Sequence, residues 1–467
     1  MGTPPPPPPH DHGDREPTAG SYPRRPTTAG PRGDLLLGSI REYGADPLAA
    51  MGRWRDDYGD LVPLRFGPLR IRMAFGPIEV TEVLAAHAKD YRKSLGVRIL
   101  SRVLGRGLLT DEGDSWLRAR RLIAPAFSRE RFTGYDQTIV AATDAQTDGW
   151  RDGATVDIGA EMSALTLRVI ARVLFGTDIT PRVGEIARLG ASIQDHYFDR
   201  LNSLRFLLPA WLPTPGNRRL RRDAERFDAI VDEMIAERRR DDDRDDLLSR
   251  LLRARDDDGP ALSRQQVRDH VVTLLLAGHE TTALALTWAW LLLARHPVAR
   301  EALEAEVDRV LDGRPPSTGD VTRLPYAEAV VNETLRLRPP VYATGREAIR
   351  ETSIDGTDVA PGRTVFVSMS ATHRDARFFE DPDAFRPERW LGGLPRDLPR
   401  GAFFPFGLGP RMCVGASFAM LEATLVLAHC TQRWRFKADV GKVGARPSIT
   451  LRPDRPVTGT LQARHAG

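Results

Sequence analysis

The stretch VVTLLLAGHETTALALTWAWLLLA, residues 271–294, decides between a membrane protein and a protein built around a buried helix. At about 1.5 Å of rise per residue, a helix of this length could cross a bilayer. However, His279, Glu280, Thr281 and Thr282 fall near its middle, where a bare carboxylate would be costly in lipid. The sequence therefore predicts a long helix buried in a protein core, and no membrane span.

The segments around this helix favour a mostly α fold with a small β-sheet region. Apolar residues recur at helical spacing along 218–240. Strand-like segments occur in 61–75 and again in 346–369, where DG and PG turns divide them. Because no linker interrupts the chain beyond its N-terminal segment, we predict one continuous domain over residues 31–467.

The N-terminal segment 1–30 begins MGTPPPPPPHDHGDREPTAG and is predicted to be a disordered, Pro-rich tail, because it cannot bury enough apolar surface to fold. It lacks the apolar core of a signal peptide. Two cysteines in 467 residues cannot form a disulfide scaffold, which indicates a reducing, cytoplasmic location. A net charge of +4 gives no support for nucleic-acid binding.

One of the two cysteines, Cys413, lies in the glycine-rich segment FPFGLGPRMCVG, residues 404–415. A helix is predicted to follow, and a cysteine at a helix N-terminus is expected to have its pKa lowered towards the thiolate. Phe406 can shield the sulfur from water. The thiolate would suit a nucleophile or a metal ligand, and since no Cys or His neighbours it at zinc or iron–sulfur spacing, haem is the natural metal. A turn with an incidental cysteine is the alternative.

The motif AGHETT places polar residues inside the long apolar helix. Gly278 weakens the helix, and threonine hydroxyls can bond back to preceding carbonyls, so we expect a local bulge. An acid beside an alcohol, Glu280 and Thr281, can hold a water and relay protons. The alternative is a polar patch satisfied by its packing partners.

Two further spacings place polar side chains on one helical face. Glu333 and Arg336 can pair at i,i+3, and such a pair, if buried, needs a further partner that Arg389 in the PERW segment could supply. Trp116 and Arg120 at i,i+4 offer two donors suited to a carboxylate. Each spacing also has an ordinary explanation, an ion pair common on helices or an arginine packed on a tryptophan.

In this order and spacing, these segments resemble the cytochrome P-450 superfamily of haem-thiolate monooxygenases. The match includes WLRAR, AGHETT, ETLR, PERW and FGLGPRMCVG, together with LRLRPP and HRDARFFEDPDAFRPERW. It covers essentially the whole chain after the tail. The resemblance implies a single haem domain with a long central I helix.

The resemblance also implies roles for individual residues. Cys413 is expected to be the thiolate ligand of the iron of haem b, while Glu280 and Thr281 are expected to deliver protons during oxygen activation. The residues expected to contact the haem are Trp116, Arg120, Ala277, Arg346, Phe406 and Arg411. Those expected to line an apolar substrate pocket are Thr273, Leu274, Val341, Ala343 and Thr344. A buried structural triad is expected from Glu333, Arg336 and Arg389.

The resemblance implies a monooxygenase that inserts one oxygen atom of O2 into an apolar small molecule. Because the chain carries no flavin or nicotinamide fold, electrons are expected from a separate ferredoxin and its reductase, acting on a cytoplasmic monomer. A terpenoid or other secondary-metabolite intermediate is the first expectation for the substrate. The alternatives are a fatty-acid hydroxylase, a peroxide-driven peroxygenase and, more remotely, a non-catalytic haem-binding protein.

Overall fold

The computed structural model describes residues 22–26, 29–201, 212, 214–240, 246–254, 262–393, 397–439, 441 and 443–464. Most of the predicted tail, 1–30, lies outside these residues, and its predicted disorder stays a prediction. Most of the apolar stretch of sequence 206–213 lies outside them as well.

Fifteen α-helices account for most of the described chain, which confirms the mostly helical prediction. They are α1 (Ile40–Ala45), α2 (Pro47–Tyr58), α3 (Pro77–Thr81), α4 (Leu95–Leu104), α5 (Gly113–Ile123), α6 (Phe132–Thr147), α7 (Ile158–Phe175), α8 (Val183–Leu201), α9 (Pro215–Arg240), α10 (Leu247–Arg253), α11 (Arg264–Arg295), α12 (Pro297–Leu311), α13 (Pro325–Leu337), α14 (Met369–Thr372) and α15 (Ala416–Arg433).

Twelve short strands form small sheets among the described residues, as predicted for 61–75 and 346–369. They are β1 (Leu61–Phe66), β2 (Leu69–Ala74), β3 (Tyr91–Lys93), β4 (Thr155–Asp157), β5 (Thr344–Ala348), β6 (Thr352–Ile354), β7 (Thr357–Val359), β8 (Thr364–Val367), β9 (Trp434–Ala438), β10 (Ala445–Pro447), β11 (Leu451–Pro453) and β12 (Thr458–Ala463). The largest sheet has the order β1-β2-β8-β5-β3, with β2 parallel to β8 and the other neighbours antiparallel.

The central helix α11 confirms the interpretation of the opening stretch. It begins with a capping box, in which the Ser263 hydroxyl accepts the Gln266 N–H and the Gln266 side chain accepts the Ser263 N–H. It is the one described helix long and apolar enough to span a membrane, but its apolar window is 83% buried inside the protein. It packs along α7, α13 and α15, so its apolar surface is used by the core.

The bulge expected in AGHETT is absent, because α11 runs as an unbroken α-helix through this motif. The threonine hydroxyls do bond back, with Thr281 Oγ1 donating to the Ala277 carbonyl at 2.9 Å and Thr282 Oγ1 to the Gly278 carbonyl at 3.3 Å. A carbonyl oxygen has two lone pairs and can accept both a hydroxyl and a main-chain N–H. The side-chain bonds therefore add to the helical ladder without interrupting it.

Candidate haem-thiolate site

The loop that carries Cys413 is held by its own backbone and by a close neighbour. The Cys413 N–H donates to the Phe406 carbonyl at 2.8 Å, which closes the loop just before α15. Gly409 has φ +69°, and a Cβ there would collide with the Leu84 carbonyl oxygen. Glycine is needed at this position because both the backbone conformation and the close approach exclude a side chain. The cysteine loop therefore packs closely against the segment Glu82–Ala86 from the N-terminal part of the chain.

The Cys413 side chain is exposed, whereas Cys430 is buried within α15. Desolvation raises the pKa of the Cys413 thiol, and the Gly415 N–H and the Arg120 guanidinium oppose that rise without overcoming it. The expected lowering of this pKa is therefore wrong for the protein chain alone. The reason is that the surrounding protein removes more hydration from a thiolate than the helix N-terminus and one arginine restore. A bound metal cation would supply the missing charge.

An opening lies beside the AGHETT motif. Ala277 is exposed although residues 267–276, directly before it on α11, are buried, and the Thr281 hydroxyl is partly exposed next to it. The side chain of the next residue, Thr282, lies beside the carboxyl group of Glu422 on α15. Because α15 begins directly after the Cys413 loop, this contact connects the motif to the helix that follows the loop. Two otherwise unexplained exposed residues, Ala277 and Cys413, thus lie on adjoining elements.

Three predicted haem contacts meet around one tryptophan ring. The guanidinium carbon of Arg411 lies 4.4 Å from the Trp116 ring centroid, and that of Arg120 lies 5.9 Å from it. Arg120 also donates to the Met412 carbonyl at 2.8 Å, one residue before Cys413. The structure therefore joins the WLRAR helix α5 to the cysteine loop.

Positive charge exceeds negative charge at this point. Arg411 pairs with Glu112 through Nη2, while its buried Nη1 has no hydrogen-bond partner among the described residues. Arg346 lies directly opposite Lys93 in the β3–β5 ladder, a like-charge pair that is unfavourable unless an anion lies nearby. Desolvation and the charge of Arg411 lower the pKa of Arg346 to about 10 and that of Lys93 to about 7, although Glu112 raises both.

This cation surplus fits the carboxylates of a haem, which would neutralise it. The sequence prediction named Trp116, Arg120, Arg346 and Arg411 but missed Lys93 and Glu112. Lys93 also donates to the Asp111 carbonyl at 2.6 Å. Lys93 lies opposite Arg346 because of the register between β3 and β5. A strand of three residues shows too short a pattern for this register to be predicted from the sequence.

The carboxylate of Glu280, the acid of the AGHETT motif, accepts hydrogen bonds from side chains outside α11. It accepts from Arg452 Nε at 2.8 Å and from Thr450 Oγ1 at 2.9 Å, and it pairs with Gln194 of α8. Arg452 also donates to the Gln194 side-chain oxygen at 2.9 Å and lies 3.6 Å from Asp195. The sequence predicted that Glu280 acts with Thr281 in proton delivery. It did not predict Arg452, which binds the Glu280 carboxylate and fixes its position.

The residues predicted to line the substrate pocket fall into two groups on separate elements. Thr273 and Leu274 are buried on α11, and Thr273 Oγ1 has no hydrogen-bond partner among the described residues. Val341 and Ala343 are half-buried and pack against two different apolar clusters beside the main sheet, while Thr344 begins β5. Their assignment to substrate stays a prediction.

The predicted triad is assembled in the core. Arg336 donates to both carboxylate oxygens of Glu333 at 2.8 Å, and both side chains are fully buried. Arg389 Nε reaches Glu333 at 3.2 Å, and the Trp390 indole, which the sequence prediction missed, donates to Glu333 at 2.8 Å. Desolvation raises the pKa of Glu333, but the hydrogen bond and charge of Arg336 reverse this, so the net shift is downward.

The triad is connected to the cysteine loop through one histidine. Arg336 donates to the His373 carbonyl at 3.0 Å, and His373 Nε2 accepts the Phe404 N–H at 2.9 Å. Desolvation and the charge of Arg336 lower the pKa of His373 to about 3, so its ring is neutral and can accept that bond. Phe404 is the first residue of the segment that contains Cys413.

Comparison with known proteins agrees with this geometry. The family model described as Cytochrome P-450 matches residues 29–455. The chain is 41% identical over 431 residues to cyclooctatin synthase of Streptomyces melanosporofaciens, covering 91% of this chain and 93% of that protein. It is 38% identical over 419 residues to cyclooctat-9-en-7-ol 5-monooxygenase of the same organism, covering 89% and 91%.

A third relative, pentalenene oxygenase of Streptomyces avermitilis, is 34% identical over 402 residues, covering 85% of this chain and 87% of that protein. These matches span nearly all of the chain that carries the cysteine loop, the AGHETT motif and the triad. The chain belongs to the cytochrome P-450 family and is a haem-thiolate monooxygenase.

Proposed function

We propose that this monooxygenase inserts one oxygen atom of O2 into a terpenoid, with haem b as its cofactor. The substrate class is supported by the three relatives, whose names describe terpenoid-tailoring oxygenases. Haem b is supported by the cation surplus of Lys93, Arg346 and Arg411, because that cofactor carries two carboxylates and needs no covalent attachment. The surplus is the single observation that carries the cofactor assignment.

The chain's own residues would hold the cofactor from three sides. Cys413 would ligate the iron, and Phe406, which accepts the Cys413 N–H through its carbonyl, would pack beside the sulfur. Ala277 would face the other side of the cofactor, where its exposure leaves room. The carboxylates would be held by the surplus cations and by Arg120. When bound, a haem with a thiolate ligand supplies O2 activation and oxygen insertion.

Proton delivery would be the task of the AGHETT motif. The Thr281 hydroxyl donates to the Ala277 carbonyl and keeps its lone pairs free to accept from a water in the adjoining opening. Glu280 would take up a proton from solvent and pass it to that water, and Arg452 would hold the carboxyl group in position, at 2.5 Å from it. Arg452 is thus a positioning residue in this proposal. The requirement for imported protons favours O2 with external electrons over peroxide as the oxidant.

Electrons would come from a ferredoxin and its reductase, since a P-450 monooxygenase needs redox partners. The enzyme would act as a cytoplasmic monomer. The proposal is tested by combining the purified holoenzyme with a bacterial ferredoxin, its reductase and NADPH, under ¹⁸O2, with a panel of polycyclic terpenes and terpene alcohols. We expect products that carry one ¹⁸O atom.

Two control reactions distinguish the alternatives. Turnover with hydrogen peroxide alone at the same rate would favour a peroxygenase, and turnover of long-chain fatty acids but no terpenoid would contradict the substrate class. Absence of the red-shifted thiolate Soret band in the reduced, CO-treated protein would contradict the haem-thiolate assignment itself. Each outcome overturns a different part of the proposal.

The variant Thr281→Ala is expected to uncouple reduction from oxygenation. Without the hydroxyl, product formed per NADPH consumed should fall about tenfold or more, because positioned proton transfer contributes about 10²- to 10⁴-fold. Hydrogen peroxide released per NADPH should rise. The matched control is Thr287→Ala on the same helix, five residues beyond the motif, whose buried hydroxyl donates to the Ala283 carbonyl at 2.7 Å. Wild-type coupling in Thr281→Ala would refute the relay role.

Haem affinity is expected to depend on pH through Lys93. In the haem-free chain its pKa is about 7, and a carboxylate beside it would raise that value, so haem binding takes up a proton above pH 7. The dissociation constant should therefore increase as pH rises from about 7 to 10, by at most about tenfold per pH unit. Haem transfer to a scavenging globin measures this.

The variant Lys93→Met should flatten that pH dependence, because methionine keeps the length and apolar stem of the side chain without its charge. The control is Lys89→Met, four residues earlier, whose side chain is exposed. A Lys93→Met protein that retains the full pH dependence would show that the proton binds elsewhere.

A further inference from the structure

An apolar surface lies at the N-terminal edge of the main sheet, where a turn meets the β1–β2 hairpin. We call this surface the leucine patch, and it consists of Leu35, Leu36, Leu37, Ile40 and Leu69. Leu35 is 90% exposed and Leu36 is 79% exposed. Three consecutive exposed leucines are unusual in a folded protein unless they contact something.

The turn that presents these leucines is rigid. Asp34 and Gly38 exchange two main-chain hydrogen bonds of 2.8 Å, and the Ser39 N–H donates to the Arg65 carbonyl at 2.7 Å. Gly38 has φ +64°, and a Cβ there would collide with the Arg65 carbonyl oxygen. The leucine side chains therefore point outward from a fixed backbone and do not result from a loose loop.

Most main-chain polar groups of the turn have hydrogen-bond partners within the protein. The Leu36 and Leu37 N–H groups donate to the Asp34 carboxylate at 2.9 and 3.1 Å. The Arg65 guanidinium donates to the carbonyls of Leu35 at 2.7 Å and Leu36 at 3.3 Å, and the Leu37 carbonyl accepts the Gly67 N–H at 3.0 Å. Backbone groups with internal partners can leave water at little cost, which is the condition for entering lipid.

Cationic side chains surround the patch. Arg32, Arg41 and Arg70 are exposed, and none of them has a carboxylate within 4 Å in the part of the chain that the structure describes. The turn also carries one exposed carboxylate, Asp34, which attracts Arg41 and Arg65, so the arginines outnumber the acid at this surface. Leucines flanked by a surplus of guanidinium groups match a lipid surface, where acyl chains lie beneath anionic headgroups. A protein partner would need its own apolar surface and acidic rim, whereas a bilayer supplies both everywhere.

We propose that the leucine patch docks this enzyme onto anionic lipid bilayers, with the leucines among the acyl chains and the three arginines at the headgroup phosphates. The contact is peripheral and involves no spanning helix. It is independent of the proposed substrate, although an apolar substrate would be enriched at the same surface. A second copy of the chain is the competing occupant of the patch.

The test is co-sedimentation of the full-length holoenzyme with vesicles. Phosphatidylcholine vesicles with and without phosphatidylglycerol are compared at low and high salt. We expect binding to the anionic vesicles that weakens with salt, since screening shortens the range of the arginine charges. The double variant Leu35→Asn/Leu36→Asn should lower the partition coefficient about tenfold or more, because several buried methylene groups are lost.

The matched control is Val298→Asn, an isolated 79%-exposed apolar residue at the start of α12, which should bind vesicles as the wild type does. The double variant should keep its thiolate Soret band and melting temperature, since its side chains are mostly exposed. Failure of the wild type to bind anionic vesicles, or unchanged binding by the double variant, overturns the proposal. So does a wild-type dimer that the double variant converts to a monomer.

Discussion

The variant Cys413→Ala is expected to lose the red-shifted Soret band of the reduced, CO-treated protein and all measurable turnover. Cys413 is the one exposed cysteine of the described chain, and the other described cysteine, Cys430, is buried in α15. Without a thiolate, the electron donation that favours O–O cleavage is lost. Optical spectra of the CO complex and oxygen-dependent product formation measure the two effects.

The second cysteine supplies the control for this experiment. Cys430 is buried in α15, where burial raises the pKa of its thiol to about 12, so it remains a neutral packing group. Cys430→Ala should cost about 1 kcal/mol for the small cavity and leave the spectrum unchanged. A wild-type CO spectrum in Cys413→Ala would place the ligand elsewhere and refute the assignment.

The sequence predicted the long core helix and the positions of the four motifs because each depends on local spacing. The 3.6-residue period places Glu333 next to Arg336 and Trp116 next to Arg120 in any helix. Family resemblance then related segments hundreds of residues apart, and the family model confirms that relation over residues 29–455.

Contacts set by tertiary packing were missed. Glu280 is held by Arg452, a residue 172 positions away on the three-residue strand β11, which carries no motif. No local pattern shows that these two side chains meet. The pKa of Cys413 was mispredicted for a similar reason, since the helix dipole is visible in sequence but the desolvation that outweighs it depends on the surrounding protein.

The largest effect on folding is expected from Arg336→Ala. This change would leave the fully buried carboxylate of Glu333 without its main counter-charge, at a cost of about 3–5 kcal/mol. It would also remove donors from the carbonyls of His373, Pro382 and Ala384. Because His373 in turn accepts the Phe404 N–H, the damage should extend to the cysteine loop, and we expect little haem per protein and a lowered melting temperature.

A second variant keeps this prediction testable if Arg336→Ala does not fold. Arg336→Lys retains the charge but not the planar fork that serves Glu333 and three carbonyls, so haem content should be intermediate. Arg309→Ala, an exposed arginine on α12, controls for loss of a surface charge. Haem absorbance per protein and thermal unfolding measure all three. Wild-type haem content in both Arg336 variants would mean that the triad does not support the haem site.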